Sequence, residues 1–366
     1  MVAIRQILLS WGRIGALGFG GPPAHIRLLR ELCVERNEWI DPVEFEEAIA
    51  ACNLLPGPAS TQLSIWSAWR VGGRLGGLVG GLAFVLPGFV AILALSMVFL
   101  AGQPPRWILG AGAGAGAAVA AVALHAAWTL APTSWARTPS RARWIAYVLT
   151  AAAGTAAVGP WVVLVLLGCG LIEAVLGSRW RRRPDSAVRE ARLGVIAWPA
   201  LVWTAFKVGA LSYGGGFVII PLMRSDAVDK FGWLSSQRFL DAVALGQITP
   251  GPVVHTVGAV GYAAAGVPGA VVATVVAFSP SFLFVLLGAP MFDRIRGARA
   301  PQAFLAGAGP AAIGAIVGSS IPLAGALSEV WQWIVLATAV ILLFVGRVGV
   351  VTTLLIAGVA GVLAVA

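Results

Sequence analysis

Glycine and proline interrupt this chain where a membrane-compatible sequence tolerates them least. Phe19-Gly20-Gly21-Pro22-Pro23 and Leu55-Pro56-Gly57-Pro58 sit within apolar stretches, and both recur 194 residues later as Tyr213-Gly214-Gly215-Gly216 and Pro250-Gly251-Pro252. These are the poorest helix formers, and an unpaired backbone group in hydrocarbon is costly. A break kept in such a place has a use. A break kept twice at one offset marks a tandem duplication. Residues 9–62 lie on 203–256 without a gap: Arg13 meets Lys207, Trp39 meets Trp233, Glu47 meets Asp241 and Asn53 meets Gln247. Pro87 and Pro280 fall near one another in that register, each expected to kink the long helix after its break.

The chain is 59% hydrophobic and 11% charged, too apolar for one soluble core. An all-α polytopic membrane protein is expected. Segments 76–101, 107–131, 144–158, 160–176, 268–289, 302–321, 330–346 and 348–366 are nearly free of charge. With the broken segments they predict about ten to twelve membrane helices. No cleavable leader is apparent, because the apolar run from Ile7 passes directly into Gly20. A net charge of +10 would suggest nucleic acid in a soluble protein, but Lys and Arg concentrate in short loops, where they set orientation. No nucleic-acid partner is therefore expected. Cys33, Cys52 and Cys169 are isolated, so neither a metal site nor a disulfide framework is indicated, and no cofactor is expected. Residues 1–177 form one repeat and 195–366 the other, with the Arg-rich stretch 178–194 as a basic cytoplasmic linker.

Equivalent loops differ in charge. Arg70 and Arg74 follow the first Pro-Gly-Pro segment, whereas residues 264–268 carry no cation. The next loop reverses the bias: Arg106 alone stands against Arg294, Arg296 and Arg299. After that, Arg137, Arg141 and Arg143 oppose an uncharged-by-cation stretch at 322–329. By the positive-inside rule the repeats have inverted topology. Inverted repeats with interrupted helices are the recurrent architecture of secondary transporters, whose sites lie where the breaks meet.

Pro58 suits the first position of a new half-helix, whose free amides would carry partial positive charge, with Ser60, Thr61 and Gln62 in its first turn. The second copy offers His255 and Thr256 there. His25 opens the half-helix after Pro23. Arg13 and Lys207 lie six residues before Phe19 and Tyr213 in apolar helices, where a cation is a functional hypothesis; the competing role is snorkelling, or pairing with Glu47 and Asp241. The substrate-binding candidates are Arg13, Gly20, Gly21, His25, Asn53, Gly57, Ser60, Thr61 and Gln62, with Lys207, Gly214, Gly215, Gln247, Gly251, His255 and Thr256 in the second copy. His25, His255, Glu47 and Asp241 are the candidate proton carriers. The glycines of 110–116 and 307–318 mark closely packed helices, within the bundle or at a homodimer interface.

Phe19-Gly20-Gly21-Pro22-Pro23-Ala24-His25-Ile26 followed by Leu55-Pro56-Gly57-Pro58-Ala59-Ser60-Thr61-Gln62 closely resembles the signature of the chromate ion transporter family. Tyr213-Gly214-Gly215-Gly216 with Gln247-Ile248-Thr249-Pro250-Gly251-Pro252 resembles it again, so the likeness covers both halves. The resemblance implies a multi-pass protein of the bacterial inner membrane that exports chromate, or a related oxyanion, using the ion gradient. Chromate is a tetrahedral dianion like sulfate, suited to amides, hydroxyls and a cation. An anion channel, or a transporter of another oxyanion, could use the same site. An enzyme would need a redox pair, metal cluster or nucleotide motif, and none is visible.

Overall fold

The computed structural model describes residues 2–19, 21–52, 55, 57–100, 104–138, 140–158, 162–177, 198–212, 219–288 and 299–365. The second-copy glycine motif 213–216, Gly20, Asn53, Pro56 and the linker 178–194 lie outside these residues. Among the described residues the regular elements are helices, as an all-α membrane protein requires. In the first half they are α1 (Ile4–Leu17), α2 (Pro22–Arg30), α3 (Pro42–Cys52), α4 (Ala59–Phe99), α5 (Arg106–Ala117), α6 (Val119–Arg137), α7 (Arg141–Val158) and α8 (Val162–Gly177). In the second they are α9 (Trp198–Ala210), α10 (Ile219–Arg224), α11 (Ser236–Ile248), α12 (Thr256–Gly288), α13 (Arg299–Ala324), α14 (Val330–Phe344) and α15 (Val350–Val365). Single π-helical turns at Glu31–Arg36 and Ser225–Lys230 follow α2 and α10 at equivalent positions.

Helices α4 and α12 are each bent back on themselves. Gly73 has φ 66° and ψ −164°, and Gly266 has φ 61° and ψ −152°, a region open essentially to glycine alone. At these corners a short first arm turns into a long second arm. Gly81 packs against Ile65, and Gly80 against Ala68; in α12, Gly261 faces Gly269. The cations Arg70 and Arg74 therefore flank a tight corner instead of occupying an open loop. Pro87 and Pro280 both fall inside the second arms, as the register predicts.

The two long arms pack on each other with opposite direction. Gly77 meets Leu286 and Gly81 meets Phe282, so rising numbers on α4 meet falling numbers on α12. Helix α1 lies along α4, and α9 along α12, which makes these four helices the centre of the molecule. The outer helices interlock the halves: α7 and α8 pack on α13, while α15 packs on α5. The glycines make these contacts close. Gly114 abuts Ala357 and Gly361, and Gly314 and Gly318 abut Val148 and Ala152.

Ala59–Phe99, Arg106–Ala136, Val253–Gly288 and Ala306–Ala324 are long and apolar enough to cross a bilayer, and Val330–Phe344 and Val350–Val365 are shorter apolar helices. Large apolar side chains point outward along the long arms. Leu78, Leu82, Leu86 and Val90 form one exposed stripe on α4, and Val271, Val275, Leu283 and Leu287 another on α12. Such stripes suit a hydrocarbon solvent.

Candidate anion site between the two interrupted segments

The helices on either side of the breaks run back beside one another. Glu44 in the first turn of α3 forms an ion pair with Arg70 at the end of the first arm of α4, so the chain returns to the side it left. Helix α2 likewise runs back along α1: Ser10, Arg13 and Leu17 share a groove with Leu28, Leu32 and Arg36. In the second half, Thr204 and Lys207 of α9 meet Asp226 just after α10, and Gly246 of α11 abuts Thr256 of α12.

The tips of the two halves touch. The Gly251 amide donates to the Gly18 carbonyl at 3.0 Å, and His25 Nε2 donates to the same oxygen at 2.8 Å. His255 Nε2 donates to the carbonyl of Val85, on the long arm of α4, at 3.0 Å. Contacts between halves come in matched pairs: the Gly209 carbonyl lies beside Gly57, and the Gly15 carbonyl beside Gly251. Both histidines are fully buried, packed on Phe84 and Phe278 respectively. A carbonyl partner places the proton on Nε2 and leaves Nδ1 as a lone pair; neither Nδ1 has a partner among the described residues.

The start of α4 is the most donor-rich part of this junction. Pro58 is its N-cap and supplies no side-chain cap, and Ala59, Ser60, Thr61 and Gln62 are buried. A buried, uncapped helix N-terminus calls for an external acceptor. Ser60 Oγ and Thr61 Oγ1 have no hydrogen-bond partner among the described residues, nor has Ser281 Oγ on α12. Gly57 marks where Gln62 and Ser281 converge. It has φ 121°, and a Cβ there would stand 2.7 Å from Gln62 Nε2 and 2.8 Å from Ser281 Oγ. The missing side chain leaves amide and hydroxyl donors from both halves facing one small space.

The second copy is built differently. Val253–His255 form a 3-10 turn before α12, and the Thr256 hydroxyl is spent on the Val253 carbonyl at 2.8 Å. His255, in the register position of Thr61, lies against Gly251 and Gly88. Gln247 Nε2 is buried without a partner among the described residues.

Other candidates fall elsewhere. Helix α2 offers no spare amide: Pro22 and Pro23 have no N–H, and the Ala24 and His25 amides both return to the Gly21 carbonyl. Gly21 itself takes φ 73° at the cap of α2. Arg13 is exposed, in the outward groove with Glu31 and Arg36. Lys207 is paired at 2.5 Å with Asp226, which also accepts from Thr204 at 2.7 Å, so its partner is not Asp241. Glu47 is half-buried on α3. Asp241 faces α5, away from the tips. Asn53, Gly20, Gly214 and Gly215 lie outside the described residues. Ser281, Val85 and Asp226 escape sequence reading; the neighbouring positions of Pro87 and Pro280 in the register are the signal that could have drawn attention to the long arms. Among the described residues, no group of three His, Cys, Asp or Glu could hold a metal ion.

The chain was compared with known proteins. The family model described as Chromate transporter matches residues 5–174 and 199–362. A chromate transport protein of Cupriavidus metallidurans is 34% identical over 88% of this chain and 82% of its own length. A probable chromate transport protein of Synechococcus elongatus is 32% identical over 88% of this chain and 84% of its own. A chromate transport protein of Pseudomonas aeruginosa is 29% identical over 88% and 82% respectively. No solved structure matches. Hairpin tips meeting inside an apolar bundle and a family match over both halves lead to one conclusion: the chain belongs to the chromate transporter family, whose members are transporters and not enzymes.

Proposed function

We propose that this protein is a secondary active transporter that exports chromate, or a related tetrahedral oxyanion such as sulfate, across the bacterial inner membrane, driven by the ion gradient. The observation that carries the reading is the buried, uncapped start of α4, with partnerless hydroxyls on Ser60 and Thr61, next to a space at Gly57 bordered by the partnerless Ser281 of the other half. The dianion accepts from the first free amides of α4 and from the Ser60, Thr61 and Ser281 hydroxyls. Charge-assisted bonds of this kind are shorter and stronger than neutral ones. His255 acts from the other copy: protonated at Nδ1, it becomes a donor, and neutral it presents a lone pair that repels the anion. Gly21, His25 and Gly251 shape the tips around that space.

Alternating access follows from the construction. The repeats enter the bilayer from opposite sides, a reading supported by the loop charges and by the antiparallel packing of the long arms of α4 and α12. Moving the tips apart breaks two links, Gly251 to Gly18 and His255 to Val85 on the long arm of α4, and opens the site to one face at a time.

The test is anion flux in proteoliposomes with imposed pH gradients. Uphill chromate accumulation that collapses with a protonophore supports the proposal. Flux that only ever runs downhill makes the protein a channel, and flux of another anion with none of chromate overturns the substrate.

A further inference from the structure

We propose that Asp241 is a protonation site of this transporter, reached from the lipid side through an apolar pocket separate from the anion site. The inference rests on the reading of the chain as an ion-coupled transporter and assigns the coupling group. Asp241 lies in the middle of α11, 9% exposed, and its Oδ1 has no hydrogen-bond partner among the described residues. Its carboxyl is pressed against the bare backbone of α5: a Cβ on Gly112 would lie 3.2 Å from Cγ, and one on Gly116 3.2 Å from Oδ1. Asp241 borders a cavity of about 210 Å³ whose exposed surface is apolar, with further walls from Phe99, Trp107, Leu245, Ile248, Leu354 and Val362.

Among the described residues the cavity walls from α5, α15 and the end of α4 carry no charge, and only Gln237 and Arg238 of α11 itself favour the carboxylate. The facing residues of α5 are Gly112 and Gly116, and those of α15 and of the end of α4 are uncharged. On α11 itself Gln237 lies beside the carboxyl near Gly116, and Arg238 stands one turn earlier. A carboxylate in such a setting is expensive and a carboxylic acid is not, so the site favours taking up a proton. The rim is open to lipid: Trp107 is 59% exposed, Leu355 56% and Val359 60%. Helix α11 then runs directly into Thr249 and Pro250, the second-copy break, so a change at Asp241 acts along one rigid element on the tip that holds His255.

The experiment is labelling with dicyclohexylcarbodiimide, a lipid-soluble reagent that requires the acid form. The carboxyl proton moves to one carbodiimide nitrogen, the carboxylate oxygen bonds to the central carbon, and acyl migration leaves a stable N-acylurea with all atoms retained. Purified protein in vesicles should gain one reagent mass on the Asp241 peptide, faster in acidic than in alkaline buffer, and much less with a membrane-impermeant carbodiimide. Asp241→Asn should lose the label, and Asp241→Glu should keep it. No label at Asp241, or equal labelling by both reagents, overturns the site. Labelling does not depend on which anion moves, so it stands apart from failure of the chromate reading. For coupling, Asp241→Asn should keep chromate-for-chromate exchange while losing accumulation driven by a pH gradient. Unimpaired accumulation, or equal loss of both, overturns the coupling role.

Discussion

Two glycines with the same backbone demand separate the site from the scaffold. Gly57 has φ 121° and Gly73 has φ 66°, so alanine at either costs about 1–3 kcal/mol of backbone strain. Their surroundings differ. At Gly73 a Cβ meets nothing within 4 Å, whereas at Gly57 it stands 2.7 Å from Gln62 Nε2 and 2.8 Å from Ser281 Oγ. Both groups must move, which adds overpacking of about 1–3 kcal/mol and takes the space assigned to the anion. Each ~1.4 kcal/mol withdrawn from binding is about tenfold in affinity. Gly57→Ala should therefore lower chromate flux per folded molecule by about tenfold or more, while Gly73→Ala, destabilised by the backbone strain alone, keeps flux near wild type. The assay is initial-rate uptake of labelled chromate into proteoliposomes, normalised to folded protein. Equal flux from the two variants would refute the assignment of Gly57 to the site.

Lys207→Gln should destabilise the fold by about 3–5 kcal/mol, because it leaves buried Asp226 without its counter-charge; adding Asp226→Asn should recover most of that loss in thermal melts. Arg13→Gln, on an exposed face, should shift stability by no more than about 0.5 kcal/mol. Ser281→Ala removes a hydroxyl that has no partner among the described residues, so melting should hold while chromate affinity falls by the ~1.5–3 kcal/mol of a hydrogen bond to a charge. Arg74→Cys and Val267→Cys, beside the two corners, should react with impermeant thiol reagents from opposite sides of the membrane; the native cysteines are all buried. Labelling of both from one side would contradict the inverted arrangement.

What the sequence made legible is what repeats locally. The half-helix beginning after Pro58 and the prolines inside the long arms are properties of a few adjacent residues, and both are found in place, although the non-helical backbone falls at Gly73 and at Ala265–Gly266 and not at Pro87 or Pro280. Pairing across the fold is not local. Arg13 and Lys207 match in register, yet Asp226 completes only the second: its counterpart in the first copy is Leu32, so Arg13 has no equivalent partner and turns outward. The corners at Gly73 and Gly266 fall where the loop charges put turns, beside Arg70 and Arg74 and within 264–268, although a single positive-φ glycine takes the place of an open loop at each. Ser281 carries no signal beside the hydroxyls of other apolar helices, because its meaning comes from Gly57, which lies in the other half.

The most direct test of the central claim is equilibrium binding of labelled chromate to the purified protein and to Ser60→Ala, Thr61→Val and Ser281→Ala. These hydroxyls come from both halves and have no partner among the described residues. The account predicts one sulfate-competable site whose affinity falls by about tenfold or more in each variant, with unchanged melting. Chromate binding that is indifferent to all three substitutions would place the anion elsewhere and contradict the site.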